Sequence, residues 1–145
     1  MNARQIALLL LAACLLLMPA TSGETADKAG KIIEIRDKMF ITQTDDIYIN
    51  IKDYVGRTVR YEGIYTTFPP MPGEERQHMV FRNAPGCCGN DGVAGFMVAW
   101  DRDYPSPNDW VKVEGVLETL ESGMPRVRLT ALTVMEKRGQ EFVTQ

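Results

Sequence analysis

The clearest indication of the fold class is the segment Thr58-Val59-Arg60-Tyr61-Glu62-Gly63-Ile64-Tyr65. Every second residue from Val59 to Tyr65 falls on one face of an extended chain, whereas Arg60 and Glu62 fall on the other face. A period of two residues is typical of a half-buried strand. Gly63 lies inside this alternating run, and a glycine in that position favours the sharp bend that a small barrel requires.

The same alternation recurs downstream of this strand. It predicts further strands at residues 77–82, 95–100 and 110–118, and a fifth that begins at Val127. Gly115 repeats the bend signal of Gly63, and the change of phase at Leu132 predicts a β-bulge. Five strands separated by turn formers predict an all-β, five-stranded OB-like barrel rather than a sandwich.

Upstream of the barrel strands the pattern changes. Residues 32–35 form a β-branched run that suits a first or edge strand. Apolar residues at helical spacing over 40–51 predict a short N-terminal helical segment, with Asp37 as a candidate start cap and Asn50 at its end.

The first 23 residues have the pattern of a targeting signal rather than of a folded segment. Arg4 precedes an apolar run that ends in small residues, which predicts a secretory signal peptide over 1–23. An alternative is a lipoprotein box ending at Cys14, which would then be lipidated. Residues 24–31 predict a flexible tether and 32–145 a single domain, so we expect an extracytoplasmic protein of the periplasm or cell envelope.

The charge and the residue content argue against several classes of function. The net charge of −3 and the lack of a lysine or arginine cluster argue against nucleic-acid binding. One histidine, His78, leaves no multi-histidine metal site and no Ser-His-Asp triad. We therefore expect a non-enzymatic protein.

The candidate site is Ala84-Pro85-Gly86-Cys87-Cys88-Gly89-Asn90-Asp91-Gly92. Proline and glycine predict a loop that is neither helix nor strand, in which a tight turn can converge both sulfurs. Thiolates favour zinc, copper(I) or similar soft ligands. Asp91 would add an oxygen to such a site, and His78 is a further candidate ligand.

Two other interpretations of Cys87 and Cys88 stay open. A disulfide between neighbours is strained, because their Cα atoms lie about 3.8 Å apart, below the usual disulfide range of about 4.4–6.8 Å. Such a bond would be labile and redox-active. Alternatively, the two thiols only pack as small hydrophobic groups.

Several motifs occur in an order that resembles a known family. They are Ile32-Ile33-Glu34-Ile35, Asp46-Ile47-Tyr48-Ile49-Asn50, Tyr54-Val55-Gly56-Arg57-Thr58-Val59, Glu62-Gly63, Val80-Phe81-Arg82, Cys87-Cys88 and Trp110-Val111-Lys112-Val113-Glu114-Gly115. Over about residues 32–136 the chain resembles the extracytoplasmic C-terminal domain of a family of predicted bacterial permease subunits. That resemblance implies an OB-like domain with an adjacent Cys-Cys pair, which accompanies a membrane permease subunit in metal or soft-ligand traffic.

This chain departs from that family in two respects. A cleavable signal peptide is predicted where the family has a membrane-spanning N-terminal half. In addition, the cysteines are followed by Gly89-Asn90-Asp91-Gly92 rather than by the family's pattern of small and acidic residues. His78 matches none of the family motifs. The sequence thus predicts a secreted or envelope-attached module that binds a soft metal ion or similar small ligand and serves a membrane transporter. The alternative is an interaction subunit with a structural or redox-active cysteine pair.

Overall fold

The computed structural model describes residues 30–70, 72–73 and 75–144. The predicted signal peptide over 1–23, the alternative lipidation at Cys14 and most of the predicted tether lie outside the described residues. Within the described part of the chain, no helix has both the length and the apolar character needed to cross a bilayer.

Short helices precede a set of long strands. The elements are β1 (Ile33–Glu34), a 3₁₀ helix (Asp37–Met39), α1 (Phe40–Ile49), α2 (Ile51–Tyr54), β2 (Thr58–Phe68), β3 (Gln77–Gly86), β4 (Gly89–Ala99), β5 (Trp110–Thr119) and β6 (Pro125–Val134).

The pairing of strands β2 to β6 closes on itself. The neighbours run β2, β3, β4, β6, β5 and back to β2, and β4 with β6 is the parallel pair among antiparallel ones. A closed five-stranded arrangement of this kind is the OB-fold barrel. The structure therefore confirms the predicted OB-like fold with a short N-terminal helical segment. The run at 32–35 contributes the short edge strand β1, which pairs with the start of β2.

Two glycines inside the strands allow neighbouring strands to approach closely. A Cβ atom at Gly63 would lie 2.6 Å from the carbonyl oxygen of Phe81, and one at Gly115 would lie 2.4 Å from that of Arg128. Real Cβ atoms do not approach backbone oxygens so closely, so any side chain here would push strands apart. These are the two positions that the sequence marks as bends.

The bulge lies in β6, close to its predicted position. Glu114 of β5 pairs with Ala131 and Gly115 pairs with Leu129, which leaves Thr130 as the extra residue. Because of this insertion, the side chains of β6 change faces before Leu132.

Helix α1 covers the barrel core, as its apolar spacing predicts. Its buried residues include Phe40 and Ile47, and the Phe40 ring meets Tyr61 edge-on at a centroid distance of 6.0 Å. The helix ends at Ile49, and Asn50 occupies the C-cap position, as predicted. The predicted start cap is wrong: Met39 occupies the cap position, and Asp37 lies one turn earlier in the 3₁₀ helix, where its carboxylate pairs with Arg82.

The chain after β6 returns to the barrel, which the strand pattern does not foresee. Asn83 on β3 donates its N–H to the carbonyl of Glu141 and accepts the N–H of Val143, each at 2.8 Å. Val143 is fully buried in the hydrophobic core. The C-terminal segment thereby supports β3 at Asn83, four residues before the turn that begins at Cys87.

Candidate metal-binding hairpin

The stretch that the sequence predicts to be an irregular loop is the end of a β-hairpin. Strand β3 continues to Gly86 and strand β4 begins at Gly89, and these two glycines pair across the hairpin. Cys87 and Cys88 alone form the turn. The prediction that Ala84–Gly92 stays out of strands is wrong, because Gly86 and Gly92 permit a backbone approach that a side chain would block. The prediction of a tight turn that converges the sulfurs is confirmed.

A bulge beside the turn brings Asp91 towards the cysteines. Ala84 pairs with Gly92 and Gly86 with Gly89, so Asn90 and Asp91 together stand opposite Pro85. Proline has no N–H to pair in a ladder, which makes a bulge the position in a strand that tolerates it. The extra residue changes the direction of the following side chains.

The Asp91 carboxylate, which belongs to this bulge, accepts a hydrogen bond from the backbone N–H of Cys88 at 3.3 Å.

Gly86 leaves the space that the Asp91 carboxylate occupies. A Cβ at Gly86 would lie 2.1 Å from Asp91 Oδ1 and 2.7 Å from the nitrogen of Gly92. The position of the carboxylate therefore depends on the absence of a side chain at residue 86.

Three potential ligand atoms meet at the hairpin tip. The Sγ atoms of Cys87 and Cys88 lie 3.1 Å apart, and these sulfurs and an Asp91 carboxylate oxygen all lie within 4.8 Å of one another. All three residues are exposed, and neither cysteine forms a disulfide in the structure. The hydrogen bond with Cys87 raises the pKa of the Cys88 thiol above its usual value.

The donor set fits a soft metal ion in chemistry and in size. Zinc binds thiolate sulfur at about 2.3 Å in tetrahedral geometry, which separates two bound sulfurs by about 3.8 Å. Small side-chain rotations would open the Cys87–Cys88 pair from 3.1 Å to that distance. The carboxylate oxygen is a weaker third ligand of a type that zinc accepts.

The structure does not bring His78 to this group. His78 lies near the start of β3, eight residues before Gly86, which corresponds to about 26 Å along a strand. Its Nδ1 is 2.7 Å from the Tyr65 hydroxyl, and its ring stacks on Tyr104 with centroids 3.6 Å apart. Burial, followed by the charge of Arg76, lowers the pKa of His78.

The stack of His78 on Tyr104 lines a groove that the sequence analysis missed. The groove has a volume of about 870 Å³ and lies between residues 75–78, the end of β4 and residues 120–122. Its rim carries both Arg126 and Glu121, so its charge favours neither anions nor cations. The pairing of β2 with β3 brings His78 near Tyr65. Tyr104 belongs to a loop, and no sequence pattern predicts that its ring stacks on those of Tyr65 and His78.

A buried arginine stands between the helical segment and the barrel. Arg82 is 3% exposed, and its Nε donates to the Glu62 carbonyl at 2.7 Å. Its guanidinium pairs with Asp37 and lies over the Phe40 and Trp110 rings at 4.6 Å and 5.1 Å. The sequence contains Arg82 in a recognised motif but gives no sign of its burial.

The fold and the hairpin define the class of this protein. It is an OB-fold barrel whose β3–β4 hairpin carries two adjacent thiols and a carboxylate at its tip. Residues 19–144 match the model of the DUF1980 C-terminal domain, and the chain belongs to that family.

Other comparisons add distant similarities. The chain is similar to a small single-stranded DNA-binding protein from Streptomyces coelicolor, with 16% identity over 58% of this chain and 98% of that chain, at a TM-score of 0.38. It is also similar to the second OB-fold domain of replication protein A from Methanococcus maripaludis, with 12% identity over 60% of this chain and 90% of that domain, at a TM-score of 0.28. These similarities are too weak to indicate a ligand. No curated protein matches the chain.

Proposed function

We propose that this chain is a secreted or envelope-attached binding module that holds a soft metal ion, zinc or copper(I), through Cys87, Cys88 and Asp91. The observation that carries the proposal is the convergence of their three ligand atoms within 4.8 Å at the tip of the β3–β4 hairpin. Thiolate sulfur is the donor that these ions prefer.

The exposure of the site suits a module that takes up and releases its ion. All three donors lie at the surface, so an acceptor can reach the metal without opening the barrel. A closed structural zinc site has four protein ligands, whereas three leave a position open for exchange. We propose that the chain serves a membrane transporter in this way and is not itself an enzyme.

Nucleic acid is not part of this proposal. The chain has a net charge of −3, and the ionisable groups at the hairpin tip are two thiols and a carboxylate. Neither feature would neutralise a phosphate backbone.

Titration of the reduced protein with zinc and, separately, with copper(I) under anaerobic conditions tests the proposal. We expect the wild type to bind zinc, and the variant that combines Cys87→Ser with Cys88→Ser to lose at least about 100-fold in affinity, because both soft ligands are gone. His78→Gln is the matched control, since His78 lies about 26 Å along β3 from the tip, and its affinity should equal that of the wild type.

Equal, weak binding of both ions by the wild type and the double serine variant would falsify the metal proposal. The same result would favour the alternative of an interaction subunit, whose partner capture should then persist in the double variant. Mild oxidation should abolish zinc binding, because a disulfide removes both thiolates.

A further inference from the structure

We infer that a second copy of this chain completes the metal site by taking the open position and replacing Asp91 as a ligand, so that two hairpin tips share one zinc ion through the thiolates of Cys87 and Cys88 from each copy. This inference rests on the proposed metal function and adds the partner that completes the site.

One chain by itself cannot complete a four-ligand zinc site. Zinc in a closed site takes four ligands and accepts four thiolates readily. Cys87, Cys88 and Asp91 are the one group of three or more candidate ligands among the described residues, and one of the three is a carboxylate. At least one further donor must therefore come from outside the described part of the chain.

The hairpin tip of a second copy can reach the ion. Cys87 and Cys88 occupy the outermost turn, and both are exposed. Their direct neighbours Gly86 and Gly89 have no side chains to obstruct an approaching molecule. Two such turns can meet about a two-fold axis, on which each copy presents the same surface to the other.

The contact between two copies needs the metal ion. Stable protein interfaces bury about 1,000 Å² or more, and two turns of two residues each bury far less. The protein surface at the tip would therefore not hold the copies together without the ion. Association should follow the zinc concentration rather than the protein concentration alone.

The role of Asp91 separates a shared site from a site on one chain. With four thiolates present, the carboxylate is not needed as a ligand and serves as the acceptor for the Cys88 N–H. Asparagine keeps an oxygen acceptor but is a poor metal ligand. Asp91→Asn should therefore leave a four-thiolate site intact and weaken a three-donor site on one chain.

The test measures molar mass and bound zinc together, by light scattering after size exclusion and by elemental analysis. The full chain is kept under anaerobic conditions with a non-thiol reductant. We expect monomers without zinc, and dimers with one zinc per two chains when zinc is supplied.

The variants test which residues hold the two copies together. Asp91→Asn should dimerise like the wild type. Cys88→Ser should reduce the dimer fraction at least about tenfold, whereas Asn90→Ser, which adds the same residue to the same hairpin, should not.

Other outcomes overturn the inference in distinguishable ways. Monomers with one zinc per chain would reject the shared site and leave the proposed metal function in place. A protein that binds no zinc would reject the shared zinc site, and one that binds neither zinc nor copper(I) would also reject the proposed metal function. Dimers that resist a chelator but dissociate on stronger reduction would be disulfide-linked and would also reject the shared site.

Discussion

The Asp91 carboxylate accepts a hydrogen bond from the backbone N–H of Cys88 at 3.3 Å, across the end of the β3–β4 hairpin. This bond ties a residue of the bulge to a residue of the turn, so the two thiols and the carboxylate are held on one small surface. The geometry of the site is therefore a property of the hairpin backbone, and changes that move the backbone should affect metal binding without touching a ligand.

Gly86→Ala should weaken zinc binding by about 10-fold, as is typical when the support of a ligand is lost. Its Cβ would lie 2.1 Å from Asp91 Oδ1, so the carboxylate must leave its place. Asn90→Ala, an exposed residue in the same bulge, is the matched control and should bind like the wild type. Competition with a zinc indicator gives the affinities. Unchanged affinity in Gly86→Ala would show that the position of Asp91 is unimportant.

Arg82→Met should lower the free energy of unfolding by about 2–4 kcal/mol. The change removes the hydrogen bond to the Glu62 carbonyl and the guanidinium between the Phe40 and Trp110 rings. Arg128→Met is the control, because Arg128 is exposed and its bond to Glu118 should contribute less than about 1 kcal/mol. Urea unfolding measures both, and similar losses in the two variants would contradict the structural role of Arg82.

Val143→Ala should cost about 2 kcal/mol of stability, because the side chain is fully buried and the substitution removes two methyl groups from the core. The comparison is Val134→Ala, at a residue that is 51% exposed, with an expected change within about 0.5 kcal/mol. Thermal unfolding distinguishes them. If Val143→Ala is as mild as Val134→Ala, the C-terminal segment is not part of the folded core.

Stability should fall as the pH drops below about 6.5, the ordinary pKa of histidine, in part because of His78. Burial and the charge of Arg76 lower the pKa of His78 in the folded state. Between the folded and unfolded pKa values the unfolded chain binds more protons, so the free energy of unfolding rises with pH in that window.

The measurement is a series of urea unfolding curves over this pH range for the wild type and His78→Gln. The variant should show a shallower decline at acidic pH, since it has lost the titrating group next to Tyr65 and Tyr104. Parallel pH profiles for both proteins would mean that His78 titrates alike in the folded and unfolded states.

The strand alternation was enough to predict the barrel. Side chains alternate with a period of two residues from Val59 to Tyr65 and again in β5, because one face of each strand contacts the core. This contact is local to each strand, so it leaves its pattern in the sequence. The two bend glycines and the bulge near Leu132 were readable for the same reason, since each marks a local interruption of the pattern. The adjacent cysteines, flanked by glycines, likewise predicted a tight turn.

The way in which separate side chains meet depends on the folded structure. The bulge opposite Pro85 placed Asp91 at the turn, whereas the length of β3 kept His78 away from it. The burial of Arg82 and Val143 depends on Asp37 and on a C-terminal segment that pairs with Asn83. Such contacts join residues far apart in the chain, and side-chain patterns with a period of a few residues carry no information about them. The residue pattern therefore predicted the barrel and the chemistry of its candidate ligands, whereas the folded backbone of the hairpin and the length of β3 determined which of those ligands share one site.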